Sequence, residues 1–195
     1  MTRLKQIVLV RHGDTVGESR IRFHGANDVA LSEPGRAQAR AARAHVPIQE
    51  VDWIIASPKK RAWETAQIIA EGRSILPELD FREIDFGRWE GLTREEIAAQ
   101  DPDLEASWSE LGHAFDFPEG ETRLAFQERV QRGLGRLMVS GDGDSVLVVA
   151  HKGVVRMIAE TLSGETLAPE QPILGGVLQV TRRAKGGWTL HTLLG

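Results

Sequence analysis

The sequence contains no cysteine, no long apolar run and no excess of basic residues. Because none of its 195 residues is cysteine, the chain forms no disulfide, no thiolate metal site and no cysteine nucleophile. Its formal net charge of -4 argues against a surface for nucleic acid or anionic membranes. We therefore expect neither nucleic acid nor a membrane as a partner.

The first apolar run, IVLV, is interrupted at once by Arg11. It is too short for the apolar part of a signal sequence or for a membrane span, and no other run is long enough to span. We therefore expect a soluble, cytoplasmic protein. The length fits a single domain over residues 1–195, which buries roughly 70% of its unfolded surface without the help of disulfides.

Three short runs rich in valine and isoleucine are typical of strands buried on both faces. They are QIVLV (6–10), VDWIIA (51–56) and SVLVVA (145–150). A helical pattern follows each of them. This alternation predicts an α/β fold, with helices on both faces of a mostly parallel central sheet.

Local signals place several helix ends and one hairpin. Ser32 is a candidate N-cap, and Thr93 and Glu96 have the spacing of a capping box. The tail predicts a hairpin that turns at residues 185–187. Residues 121–139 carry an apolar stripe at helical spacing. Its members are Leu124, Phe126, Val130, Leu134 and Leu137.

Polar side chains follow each of the three predicted strands. Arg11 and His12 end the first, and His151 follows the third. Ser57 follows the second, with Arg61 one turn into the next helix. Ligands of open α/β sheets bind outside the carboxyl ends of the strands, so we expect these side chains at one edge. Two guanidiniums and two imidazoles at one place predict a phosphate site with a possible nucleophile.

Five blocks of sequence resemble the histidine phosphatase superfamily, which includes the cofactor-dependent phosphoglycerate mutases and many phosphomonoesterases. The blocks occur in the family's order and span nearly the whole chain. They are LVRHGDT (9–15), SPKKRAWETA (57–66), REIDFGRWEG (82–91), PEGET (118–122) and VVAHKGVVR (148–156). The resemblance implies a three-layer α/β/α sandwich of the phosphoglycerate mutase-like type.

The resemblance also implies a role for each matching residue. His12 would be the nucleophile that forms a phosphohistidine. Arg11, Arg61 and His151 would hold the phosphoryl oxygens and stabilise the charge of the transition state. Glu83 would be general acid to the leaving alkoxide and then general base to water. The family register selects Glu83 over its neighbours Glu78, Asp80 and Asp85.

The chemistry of the nucleophile adds an expectation of its own. Imidazole attacks only through a deprotonated nitrogen, so the other nitrogen of His12 must meet an acceptor. We expect a nearby backbone carbonyl, with Gly13 allowing a close approach of the chain. No cofactor and no metal are expected, because the cationic side chains supply the charge stabilisation.

Three residues depart from the family pattern: Asp14, which replaces the more usual glutamate or glutamine, Glu18 and Lys152. Glu18 replaces a frequent asparagine, and since a carboxylate repels phosphate, it either points away or meets a cationic part of the substrate. Lys152 replaces a small residue after His151, and it either contacts phosphate or pairs with an acid. His24, with Arg20 and Arg22, is predicted to line the entrance.

The residues after Glu83 resemble the phosphatase branch, including α-ribazole phosphatase-like and broad-specificity enzymes. The insertion at about residues 86–120 is short and predicts a small cap, which leaves the site open to water and favours hydrolysis. We therefore expect a metal-independent phosphomonoesterase that acts on a small phosphorylated substrate.

Two other functions stay open. A phosphoglycerate mutase-type phosphotransferase would need a bisphosphate primer. A catalytically silent phospholigand-binding protein is disfavoured because His12 and Glu83 are both present. The oligomeric state is also open, although the edge of the tail hairpin or a helix face could support a homodimer.

Overall fold

The computed structural model describes residues 4–140 and 143–195, except the side chains of His113 and Ser140. Within these residues the chain forms a mixed α/β structure. The strands are β1 (Gln6–Arg11), β2 (Trp53–Ala56), β3 (Leu76–Pro77), β4 (Ser145–Ala150), β5 (Val177–Arg182) and β6 (Trp188–Leu194). The α-helices are α1 (Glu33–Arg43), α2 (Lys60–Ala70), α3 (Arg94–Gln100), α4 (Pro102–Leu111), α5 (Arg123–Ser140) and α6 (Lys152–Ser163).

The strands form one sheet in the order β3-β2-β4-β1-β5-β6. The first four are parallel, whereas β5 and β6 run antiparallel to their neighbours. The three strands predicted from apolar runs are β1, β2 and β4, and β5 and β6 form the predicted hairpin. The sequence did not predict β3, which has only two residues and ends on a proline.

Successive residues of β1 face opposite sides of the sheet, and each side has its own core. Ile7 and Leu9 pack with α5 and α6, whereas Val8 and Val10 pack with α1 and α2. The sheet therefore lies between two helical layers, which confirms the predicted three-layer α/β/α sandwich. It also explains why these strands are continuously apolar.

The predicted helix starts are confirmed. The Ser32 side chain accepts a hydrogen bond from Gly35 N at 3.1 Å, and Thr93 and Glu96 form the reciprocal capping box of α3. In α5 the apolar stripe is buried from Phe126 onward, but Leu124 is 64% exposed. Its assignment to the stripe was wrong, because residues two apart lie on opposite sides of a helix.

The chain between α2 and α3 has little regular structure. It contains β3 and two short 3-10 helices, at Leu79–Phe81 and Gly87–Trp89. Glu83 lies between these two turns. In the part of the chain that the structure describes, no helix has the length and apolar character needed to cross a membrane.

Candidate active site

The two predicted histidines meet where parallel strands end. β1 pairs with β4 through Arg11 and Ala150, and the next amide, His12 N, donates to Ala150 O at 3.0 Å. His151 follows Ala150 directly. The two imidazole rings consequently lie with their centroids 5.1 Å apart and their planes at 66°.

The tautomer of His12 is fixed by its neighbour in the chain. Nδ1 of His12 lies 2.7 Å from Gly13 O, and since a carbonyl only accepts, Nδ1 carries the proton. Nε2 therefore presents its lone pair. A Cβ at Gly13 would lie 2.2 Å from Gly35 O, so only glycine permits this packing of the two backbones. Both expectations for Gly13, a nearby carbonyl and a close approach of the chain, are confirmed.

The electrostatic environment keeps His12 neutral. Burial lowers the pKa of His12 well below its ordinary value of 6.5, and the charges of Arg61 and Arg11 lower it further. The hydrogen bond to Gly13 only partly opposes these effects. A neutral imidazole is the form that attacks phosphorus.

Arg11 and Arg61 lie beside the histidines with donors to spare. Arg11 Nη1 donates to Pro172 O at 2.9 Å, and burial lowers the pKa of Arg11 to about 10, against the opposing charge of Glu83. Arg61 is fully buried, and burial lowers its pKa as well. The Nε atoms of both arginines are buried without a hydrogen-bond partner among the described residues. Buried donors of this kind normally find an acceptor, and phosphate oxygens fit them.

His151 adds a third unpartnered donor. Its Nε2 lies 2.8 Å from Ser57 Oγ, while its Nδ1 is buried and lacks a partner within the described chain. When Ser57 donates its hydroxyl to Nε2, the proton of the imidazole resides on Nδ1 and is available to an anion. Burial, followed by the charges of Arg61 and His12, lowers the pKa of His151 well below 6.5.

The loop before α1 is held at the site from two sides. Arg61 Nη1 donates to Asn27 O at 2.8 Å, and its Nη2 donates to His24 O at 2.8 Å. The Glu90 carboxylate accepts from the amides of Gly25, Ala26 and Asn27 at 2.7–3.2 Å. Arg61 thus binds loop carbonyls as well as presenting its Nε.

Glu83 is fixed by the first turn of α6. Its Oε2 accepts from Gly153 N at 3.0 Å, and its Oε1 accepts from Ile84 N at 3.0 Å. A Cβ at Gly153 would lie 2.6 Å from Glu83 Oε1, so the glycine makes room for the carboxylate. Its charge is the largest one that opposes the lowering of the Arg11 and Arg61 pKa values.

The remaining predicted residues occupy different positions. Lys152 opens α6 and is half-buried, and burial, then the charge of Arg11, lowers its pKa. Glu18 is exposed and accepts from Arg22 Nε at 3.3 Å, so it meets a cation of this chain. His24 is half-buried, with Nε2 2.5 Å from Gly17 O and an unpartnered buried Nδ1.

Two functional candidates were not predicted from the sequence. Glu90 binds three loop amides, and Arg129 of α5 contacts the backbone around Glu83. For Glu90 the sequence offers no signal beyond its place in the third block, residues 82–91. Arg129 is three residues after Phe126, so its position on the apolar face of α5 was the available clue.

No group of three or more histidine, aspartate or glutamate side chains in the described residues is arranged to hold a metal ion. The side chains at this edge of the sheet have a chemical arrangement of their own. They provide a neutral imidazole with a free Nε2, three unpartnered buried nitrogens beside it, and the Glu83 carboxylate.

Comparison with known proteins identifies the class. The model of the histidine phosphatase superfamily (branch 1) matches residues 7–193, which is nearly the whole chain. The chain belongs to this superfamily, as the five sequence blocks predicted.

Its relatives include several phosphatases. The chain is 32% identical over 186 residues to the glucosyl-3-phosphoglycerate phosphatase of Mycobacterium tuberculosis, covering 90% of this chain and 82% of that protein. It is 32% identical over 158 residues to the adenosylcobalamin/alpha-ribazole phosphatase of Salmonella typhimurium, covering 79% of this chain and 77% of that protein. It is 33% identical over 156 residues to the bifunctional protein Rv2228c of M. tuberculosis, covering 78% of this chain. The chain spans only 43% of the length of that last protein.

Solved structures support the fold. The crystal structure of a putative alpha-ribazole-5'-P phosphatase from Escherichia coli superimposes with a TM-score of 0.83, covering 98% of this chain and 97% of that one. At 24% sequence identity this likeness establishes the phosphoglycerate mutase-like fold alone.

Proposed function

We propose that the protein is a metal-independent phosphomonoesterase that hydrolyses a small phosphate ester through a phosphohistidine on His12. The observation that carries the proposal is the set of unpartnered buried nitrogens on Arg11, Arg61 and His151, gathered around a neutral imidazole. Membership of the superfamily and the phosphatases among the relatives support the same activity.

In the first step, Nε2 of His12 attacks phosphorus, an N–P bond forms and the ester P–O bond breaks. Arg11, Arg61 and His151 donate to the equatorial oxygens, where charge is stabilised in the transition state. Glu83 gives its proton to the departing alkoxide, which leaves as an alcohol.

In the second step, water attacks the phosphohistidine. Glu83, now a carboxylate, accepts a proton from the water, the N–P bond breaks, and His12 and inorganic phosphate are released. Lys152 and His24 are proposed to contact the substrate near the phosphoryl group. Glu18 is proposed to lie outside the phosphate contacts, because its carboxylate is paired with Arg22.

The proposal includes a cap at about residues 86–120 and a cytoplasmic location. Residues 94–111 of this segment form α3 and α4. A cap of two short helices leaves water access to the phosphohistidine, which favours hydrolysis over return of the phosphoryl group to a retained intermediate.

The direct test is phosphate release from an activated aryl phosphate in EDTA, with wild type beside His12→Ala. We expect turnover in the wild type and a loss of at least about 10³-fold in the variant, because the nucleophile is removed. His45→Ala, which removes an exposed imidazole at the end of α1, is the matched control and should keep full activity.

Other outcomes select other functions. Turnover that requires a bisphosphate primer would assign a mutase-type transferase. Binding of phosphate esters by calorimetry without any turnover would assign a silent binding protein. Wild-type activity lost in EDTA would reject the metal-independent route.

A further inference from the structure

Glu83 lies on a segment that no strand ladder or α-helix fixes. Residues 78–85 contain only the 3-10 turn Leu79–Phe81. Proton transfer nevertheless requires that a general acid be held within hydrogen-bond reach of the leaving oxygen. Something outside the segment must therefore fix its backbone.

Arg129 of α5 makes that connection. It is only 7% exposed, and its guanidinium points at the backbone of the segment. Nη1 donates to Asp80 O at 2.8 Å and to Arg82 O at 2.6 Å, and Nη2 donates to Glu83 O at 2.9 Å. One side chain thus binds three carbonyls, including that of Glu83 itself.

Glu121 completes the arrangement on the other side of Glu83. Its carboxylate accepts from Arg129 Nε at 2.6 Å and from Nη2 at 2.7 Å, while its own amide donates to Asp85 O at 3.0 Å. The two residues therefore bind the backbone both before and after the proposed acid. The guanidinium also lies 4.8 Å from the centre of the Phe126 ring.

The hydrogen bonds of Arg129 distinguish it from the arginines of the phosphate site. All five of its N–H groups are used, three on carbonyls and two on Glu121, so it has none left for a substrate. Arg11 and Arg61 each keep an unpartnered buried Nε. Arg129 therefore acts on the protein's own backbone.

We infer that Arg129, paired with Glu121, is a positioning residue that holds Glu83 where it can deliver its proton to the leaving group. This inference rests on the proposed function, since it needs Glu83 to be the general acid. It assigns Arg129 no contact with substrate.

The test compares two phosphate esters, an alkyl phosphate with a poor leaving group and an aryl phosphate with a good one, in wild type and Arg129→Lys. The parameter is kcat/KM, which reports the steps up to departure of the leaving group. Lysine keeps the charge but cannot bind three carbonyls and Glu121 together. We expect a loss of about 10–100-fold on the alkyl ester and less than about 3-fold on the aryl ester.

A double-mutant cycle separates positioning from general damage. In the Glu83→Gln background, Arg129→Lys should cost less than about 3-fold on the alkyl ester, because the group it positions can no longer act. Arg136→Ala is the matched control: Arg136 binds the side chains of Glu78 and Asp80 on the same segment, and among the described residues it has no hydrogen bond to the backbone near Glu83. It should leave the preference between the two esters unchanged.

Equal losses on both esters, or full multiplication of the effects in the Glu83→Gln background, would overturn the inference. If Glu83→Gln itself shows no preference between the esters, the proposed role of Glu83 fails instead. Should Arg129→Lys not fold, as judged by circular dichroism, Glu121→Gln takes its place. That variant weakens the same hydrogen bonds and should likewise lose more activity on the alkyl ester than on the aryl ester. Equal losses on the two esters would overturn the inference.

Discussion

The proposed nucleophile His12 and the proposed acid Glu83 each define one side of the proposed site, and they are held by different means. His12 follows β1, whose backbone is hydrogen-bonded on both sides, to β4 and to β5. Glu83 has no such ladder, and side chains from α5 and the first turn of α6 hold its segment. Where the backbone fixes a position, the neighbouring side chains keep donors for a ligand.

The buried arginines show the same difference. Arg11 and Arg61 lie on the His12 side and each has an unpartnered Nε, whereas the five donors of Arg129 on the Glu83 side are all used within the chain. This contrast agrees with the proposed roles, in which Arg11 and Arg61 bind the phosphoryl group and Arg129 supports the Glu83 segment.

The sharpest test of this difference compares two single substitutions, one on each side. Arg61→Lys should lower kcat/KM by about 10²–10³-fold on alkyl and aryl phosphates alike, since it removes phosphoryl contacts needed by both. Glu83→Gln should cost about 10²–10³-fold on an alkyl phosphate and less than about 10-fold on an activated aryl phosphate, which needs little protonation. Steady-state kinetics on both esters measures the contrast.

If Arg61→Lys lost much more activity on the alkyl ester than on the aryl ester, as is expected for Glu83→Gln, the proposed difference between the two sides would be wrong. Equal losses on both esters in Glu83→Gln would reject Glu83 as the acid. Unfolding curves for each variant provide the control for folding.

Two glycines of α5 test how closely the helix supports the Glu83 segment. A Cβ at Gly133 would lie 2.6 Å from Cε1 of Phe81, two residues before Glu83, so Gly133→Ala should destabilise the protein by about 1–3 kcal/mol. At Gly135 a Cβ would meet no atom of the described residues within 4 Å. Gly135→Ala should therefore raise the free energy of unfolding by about 0.5–1 kcal/mol, through helix propensity alone.

Urea denaturation measures both changes, and the shared helix makes each variant the control for the other. If Gly133→Ala were as stable as Gly135→Ala, the close packing of α5 on Phe81 would be contradicted.

The last expected effect concerns the pH dependence of stability on the histidine side. Burial lowers the pKa of His151 well below 6.5, whereas the unfolded chain takes up its proton near that ordinary value. Below about pH 6.5 the unfolded state binds more protons, so the free energy of unfolding falls as the pH is lowered towards the folded-state pKa. One such group contributes up to about 1.4 kcal/mol per pH unit in that window.

His151→Asn should accordingly make the decline in stability between about pH 6.5 and pH 5.5 shallower by up to that amount. Urea denaturation of both proteins at several pH values measures the difference. Identical slopes would mean that His151 titrates alike in the folded and unfolded chains.

The sequence predicted the side of the site that depends on the sheet. Short apolar runs located β1, β2 and β4, and because parallel strands end at one edge, Arg11, His12 and His151 could be placed together. A backbone carbonyl near the His12 ring was also foreseen, and it is that of Gly13, the next residue in the chain.

The other side was harder to predict, since its contacts depend on tertiary packing. In the sequence, only its spacing from Phe126 distinguishes Arg129 from the exposed charged residues of α5. Its burial depends on how α5 packs against the rest of the protein. Side-chain hydrogen bonds to irregular backbone leave no periodic pattern in a sequence.

The central place of β1 in the sheet also governs when the site can form during synthesis. The amide of His12 donates to Ala150 O, and its carbonyl accepts from Gly175 N at 3.2 Å. A ribosome must therefore synthesise the chain to residue 175 or beyond before both backbone hydrogen bonds of His12, the proposed nucleophile, can form. A shorter nascent chain contains His12 but cannot form both of these hydrogen bonds, so the proposed activity would begin only once the strands on both sides of β1 have been made.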